Sequence, residues 1–341
     1  MPKTLPGGRA RTRQLHMQRV DTHVHIWSAE ELPPWLNDPT LASIACSRSI
    51  ADFASEAGPN LGSAVYMEVD VAPAARQREA QTVTALCADG SNPLVGAVIG
   101  APVVEGTVEE FASFVREWAG NRFVKGVRQV LHIHPPGTCL RDDVVAKAQL
   151  CGEDLNSNPN HPNHNPDPNP NPNSSRNPQP QPGELDLVFE LCMRCDELAD
   201  AAKLASLAPR TRFVLDHCGG HHQLTPDAPP AKREAWRAGI EACAKAPNIW
   251  CKVSGLMGAQ GGTDGASGVA SWTPAAQHET CLFCLGTFGE DRLVVGGDWP
   301  VCTLTTALLD WARCCEEMLA SRPAEFQRKV LQANASEVFR L

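Results

Sequence analysis

Eight short runs of β-branched and apolar residues, each followed by a longer segment with helical spacing, constrain this chain more than any other feature. The runs cover residues 20–26, 64–69, 94–99, 124–130, 187–190, 211–216, 249–254 and 292–296. Helices are predicted over 75–88, 108–119, 142–150, 193–207, 231–246, 274–288, 303–319 and from 323 to the C-terminus. Strands that alternate with helices pair in parallel, because the intervening helix carries the chain back to the same end of the sheet. Eight such units fit the roughly 250 residues of a (β/α)8 TIM barrel, so an α/β fold with one barrel domain is expected. A doubly wound open sheet is the alternative.

One stretch cannot join that core. Residues 156–182 hold nine Asn and nine Pro and no aliphatic or aromatic side chain. Repeated X-Pro steps exclude helix and remove ladder donors, so a disordered, low-complexity insertion in a surface loop is expected, with His161 and His164 as solvated linker residues. The predicted layout is a basic tail over 1–19, disordered by default, and a barrel over 20–341 interrupted by 156–182.

Composition narrows the partners. Thirty Lys and Arg against 39 Asp and Glu give a formal charge of −9, which repels a phosphate backbone, so no nucleic acid is expected. No apolar run approaches the ~18 residues of a membrane helix, and the N-terminus lacks a signal-peptide h-region. A cytoplasmic protein is expected, the alternative being organellar delivery through the basic tail (Lys3, Arg9, Arg11, Arg13, Arg19). The 14 cysteines are scattered. The CxxC pairs Cys192/Cys195 and Cys281/Cys284 lie too far apart for a zinc ribbon and sit in apolar runs, so packing on one helical face is expected of both.

A barrel of this kind carries its chemistry at the C-terminal ends of its strands. The first strand ends in Asp21-Thr22-His23-Val24-His25, and residues two apart on a strand point the same way, so His23 and His25 both face the mouth. The sixth ends in Asp216-His217-Cys218-Gly219-Gly220, where alternation admits only one of the first two; His217 is expected at the mouth and Asp216 turned away. The eighth ends in Gly296-Gly297-Asp298-Trp299-Pro300, with Asp298 projecting inward as a base. The fourth offers Lys125, Arg128 and His132, and the seventh Lys252 and Ser254; Arg128 and Lys252 are the candidates for binding an anion or carbonyl. His221 and His222 follow in the sixth loop without ligand-type spacing.

DTHVHIW, VKGVRQVLH, FVLDHCGG, WCKVSGL and RLVVGGDWPV occur in that order, and together they resemble the amidohydrolase superfamily. The similarity is stronger to its amidohydrolase-related branch of TIM-barrel hydrolases, which includes L-fuconolactonase and 2-pyrone-4,6-dicarboxylate lactonase. The resemblance implies that His23, His25, His217 and Asp298 take metal- or water-handling positions, with His23, His25 and Asp298 as ligands if a metal is bound. Arg128 stands where many relatives place a bridging ligand, and a guanidinium cannot ligate a cation, so at most one Zn2+ or other divalent ion is implied, and metal independence is the alternative. Gly297 stands where the branch commonly has Ser, His221-His222 where Lys-Pro is frequent, and Met67-Glu68 where a Gln is common. Glu68 joins Arg128 and Lys252 as a candidate substrate contact.

The expected function is hydrolysis of a small lactone or related ester, with Asp298 and His217 catalytic. The alternatives are a carboxylate-processing lyase (decarboxylase or hydratase) on the same barrel, or a non-catalytic binding protein using the Asn/Pro segment as its arm. Oligomeric state is open.

Overall fold

The computed structural model describes residues 17–152, 185–220, 223–224, 228–256 and 274–341, without the side chains of 274–278. The 156–182 insertion, most of the basic tail, His221 and His222 lie outside the described residues.

All eight expected strands form: β1 (Arg19–Val24), β2 (Leu61–Met67), β3 (Leu94–Gly100), β4 (Val124–Arg128), β5 (Val188–Leu191), β6 (Arg212–Leu215), β7 (Ile249–Val253) and β8 (Leu293–Val295). Each pairs in parallel with the next, in the order β1 to β8. The two ends of the sheet meet just beyond β8, where Val24 bridges Trp299. There the His25 N–H donates to the Trp299 carbonyl and the Asp298 N–H to the His23 carbonyl, both at 2.8 Å. The chain is a TIM barrel, and its seam is made by the segments that carry His23, His25 and Asp298.

Helices α1 (Ile50–Glu56), α2 (Arg76–Asp89), α3 (Val108–Trp118), α4 (Asp142–Cys151), α5 (Leu198–Leu207), α6 (Pro230–Lys245), α7 (Pro274–Phe288) and α8 (Leu308–Leu319) follow the strands in turn. In α3 the apolar positions Phe111, Val115 and Trp118 recur at helical spacing, and all are buried against the sheet. Its start is fixed by a capping box, Thr107 accepting from the Glu110 N–H and Glu110 accepting from the Thr107 N–H. Loss of such a cap costs about 1 kcal/mol, whereas each buried aromatic or aliphatic side chain contributes about 1.5–3 kcal/mol, so packing and not capping holds the helix.

Two helical expectations are corrected. The 193–207 helix starts only at Leu198, because the Cys192 carbonyl accepts from the Leu131 and His132 N–H groups and the chain then makes a turn in which the Glu197 N–H donates to the Arg194 carbonyl. The 303–319 helix is a 3-10 turn, Val301–Leu304, followed by α8. Helix α1, seven residues long, was too short to read from periodicity; its signal was the Ser49/Asp52 capping box.

The main core lies between strands and helices. A smaller one fills the barrel, where Val65, Met67, Val98, Val188, Val214 and Val294 meet Val338 and Phe339 of the C-terminal segment. Apolar packing therefore fills one end of the barrel, and the polar interior residues lie toward the strands' C-terminal ends.

Candidate active site

His23 and His25, two residues apart, turn the same way, as expected, whereas Asp21 lies on the outer side toward Leu308, with an irregularity in β1 between Asp21 and Val24. His23 and His25 approach each other at 3.2 Å between their Nε2 atoms. His25 Nδ1 lies 2.9 Å from the Met67 carbonyl, which can only accept, so this nitrogen carries the proton and Nε2 presents a lone pair. Asp298 Oδ1 lies 3.5 Å from His23 Nε2 and 3.4 Å from His25 Nε2. His217 completes the group: one ligating atom each of His23, His217 and Asp298 fall within 4.8 Å of one another, all on buried residues.

Backbone conformation sets the last two positions. His217 and Asp298 both have positive φ, 55° and 56°, uncommon for residues with a Cβ. His217 is seated by Ser254, whose Oγ is 3.0 Å from Nδ1, and by Gly255, where an added Cβ would stand 2.1 Å from that same Nδ1. Gly297 has its own reason in this chain. Its N–H donates to Asp21 at 2.7 Å, and a Cβ there would come within 2.7 Å of the Asp21 carboxylate and 2.5 Å of Leu308, so any side chain at this position would have to displace both.

Asp216 is not turned away. β6 ends at Leu215, so strand alternation no longer applies at the next residue, and the left-handed turn at His217 and Cys218 lets both side chains enter the site. Asp216 is the hub of a buried charge cluster, 3.0 Å from Lys252 Nζ, 3.2 Å from Arg128 and 3.5 Å from His23 Nδ1. Lys252 also pairs with Glu190 at 2.8 Å, and Arg128 with Glu68 at 2.6 Å. Glu190 was not anticipated; the signal available was an acid in the centre of a four-residue apolar strand.

The titrations follow from this packing. Burial, reinforced by Lys252, holds His23 well below the ordinary histidine range, and burial lowers His217 too. Burial pushes the Asp298 carboxyl up, but the neighbouring His217, His25 and His23 together outweigh it and hold the group below the usual carboxylate range. Asp216 is held far down against its burial by Lys252, His23 and Arg128, while burial drives Glu190 well up, helped by the charge of Asp216.

A cavity of about 280 Å³ opens over the cluster, lined by His25, Arg128, His132, Cys192, His217 and Asp298, with Trp35, Asp70 and Gly255 among the remaining walls. Lys252 and Glu68 do not line it; they lie behind Asp216 and Arg128. Cys192 was expected to pack on a helical face and instead meets the cavity from extended chain, its Sγ 3.4 Å from His132 Nδ1. A larger cavity of about 450 Å³, walled mainly by apolar side chains around Trp27, Tyr66 and Leu86, does not reach the histidines.

The donor set fits a divalent cation. Neutral imidazoles and an ionised carboxylate, buried and converging on one point, are ligands that zinc and similar ions take. The Met67 carbonyl behind His25 fixes the ring in the way outer partners of metal-bound histidines do. Arg128 closes the adjacent space, with a guanidinium nitrogen 3.4 Å from His23 Nε2.

The Amidohydrolase family model matches residues 161–341, more than half of the chain. The chain belongs to the amidohydrolase family. This amidohydrolase is 24% identical over 315 residues to the L-fucono-1,5-lactonase of Burkholderia multivorans, covering 92% of both chains. To the L-fucono-1,5-lactonase of Burkholderia ambifaria it is 28% identical over 170 residues, 46% of this chain and 51%, about half, of that relative. Among solved structures, a Burkholderia multivorans amidohydrolase with bound zinc superposes with a TM-score of 0.70 at 20% identity, covering 95% of this chain and 99% of that one. The five motifs that suggested the family lie where the fold brings strand ends together, and the amidohydrolase is accordingly an enzyme. No helix among its described residues is long and apolar enough to cross a membrane.

Proposed function

We propose that this amidohydrolase opens a small lactone or related ester with water. The observation that carries the reading is the convergence of His23, His25, His217 and Asp298 beneath a cavity walled by Arg128. The cavity's 280 Å³ is near the lower end of the ~300–1,000 Å³ typical of ligand sites, which suits one small ring. The two lactonase relatives support the substrate class, and the zinc in the structural neighbour supports a divalent ion.

His23, His25, His217 and Asp298 would hold that ion, which would polarise the substrate carbonyl and acidify water. Asp298, kept ionised, accepts the proton that water loses on attack and returns it to the departing alkoxide, closing the proton balance of ring opening. Arg128 presents a fixed positive charge to the oxyanion that develops on the carbonyl oxygen, or to a substrate carboxylate. Glu68 grips the Arg128 Nε at 2.6 Å and offers its backbone carbonyl at 2.7 Å, so Glu68 positions the guanidinium and does not touch substrate. Lys252 acts likewise through Asp216 on His23. The partner is a small molecule, in keeping with the net charge of −9.

The test is proton release from purified protein supplied with zinc or manganese, on a panel of sugar 1,5-lactones, a pyrone dicarboxylate and dihydroxybenzoates. Opening of a lactone, lost in Asp298→Asn, is expected. Carbon dioxide release from a dihydroxybenzoate without any lactone opening would replace the hydrolase by a lyase.

A further inference from the structure

Behind the barrel wall three thiols from three separate elements meet. Cys218 follows β6, Cys251 lies on β7 and Cys284 on α7, and their Sγ atoms all lie within 4.8 Å of one another. Each thiol is within hydrogen-bonding range of the other two, forming a closed ring, and none of the three residues has accessible surface. The ring lies in the main apolar core, outside the cavity over His217 and Asp298.

From this triangle we infer a site for a trivalent thiophilic centre, arsenic(III) or antimony(III) supplied as the neutral hydroxide. Charge selects that class. Three thiolates around a divalent ion leave a net charge of −1, and around a monovalent ion −2, each costly in an apolar interior. Three thiolates on a trivalent centre leave none. The step balances without a redox partner: As(OH)3 and three S–H groups give three As–S bonds and three waters, each thiol proton leaving with one hydroxide. Trivalent arsenic is pyramidal, so three ligands from one side satisfy it and no fourth donor is needed. The geometry also ties the ring to the active site along the chain, since Cys218 adjoins His217 and Cys251 adjoins Lys252.

The experiment uses the reduced full-length protein with sodium arsenite. Bound arsenic is counted by elemental analysis after desalting, and its neighbours are read by X-ray absorption. Wild type is expected to retain about one arsenic per chain with three sulfur neighbours. Cys251→Ala and Cys284→Ala should each weaken retention at least tenfold, whereas Cys281→Ala, one helical turn away, should not. Arsenite should also raise the thermal midpoint of wild type, because a ligand held by the folded state stabilises it. Two-sulfur coordination, retention unchanged in the ring variants, or a lowered wild-type midpoint from capture by unfolded thiols would each overturn the assignment. So would zinc or cadmium held on these three residues in preference to arsenite. The sulfur count and the midpoint need no variant, so they decide the matter even if the substitutions prevent folding.

Discussion

Removing the Asp216 carboxylate alone should cost less than its central position suggests, and the reason is Glu190. Lys252 is fully buried between these two acids, 3.0 Å from Asp216 and 2.8 Å from Glu190. With Asp216 ionised, burial and that neighbouring charge drive the Glu190 carboxyl up, which favours keeping a proton in the cluster. In Asp216→Asn the opposing charge is gone, Glu190 gives up its proton, and Lys252 keeps an anion while Arg128 keeps Glu68. The loss is then that of hydrogen bonds to a charged group, about 1.5–3 kcal/mol. Glu190→Gln should cost no more than that. In the double variant Lys252 has neither carboxylate, and a buried charge stripped of its partner costs about 3–5 kcal/mol on top of the separate losses. Equilibrium unfolding in guanidinium at pH 7 measures all four proteins. The loss in the double variant should exceed the sum of the two single losses by well over the ~0.5 kcal/mol scatter of independent sites. Additive losses, or a single Asp216→Asn cost as large as that of the double variant, would refute this account of a shared proton.

Further outcomes follow from the same geometry. Asp298→Asn should lower kcat by roughly a hundredfold or more with a much smaller change in KM, measured on the lactone found to turn over, since the amide cannot take the proton. Gly255→Ala places a Cβ 2.1 Å from His217 Nδ1 at a positive φ of 62°, so metal retention and kcat should fall at least tenfold in a protein that still unfolds cooperatively. Chelation should abolish turnover, and one equivalent of zinc per chain should restore it; a requirement for two ions would contradict the role of Arg128. Away from the site, burial and then the charge of Glu68 push the Glu79 carboxyl up to about 7. The folded state then holds a proton that the unfolded chain releases near pH 4.5, so stability should decline as pH rises from there to about 7. Glu79→Gln should flatten that decline by about 1–3 kcal/mol, read as the wild-type-minus-variant difference in unfolding free energy at pH 5 and pH 8.

The strand count, the parallel barrel and the cluster of His23, His25, His217 and Asp298 were legible in the sequence because each follows from a local rule. β-branched runs mark strands, period two puts His23 and His25 on one face, and in a barrel polar strand ends converge at one rim. What the chain does within a single residue of a strand end was not legible. Asp216 joins the cluster because β6 stops at Leu215 and the next residues turn left-handed, a choice fixed by Ser254 and Gly255 on the neighbouring strand's exit. Cys192 reaches the cavity because its carbonyl is taken by Leu131 and His132, which keeps it out of a helix against the helical spacing of its segment. For Lys252 and Glu68 the sequence gives charge and position but not partner. Buried ions take whatever counter-charge the fold sets within about 3 Å, and here those counter-charges come from residues 36 to 88 positions away in the chain.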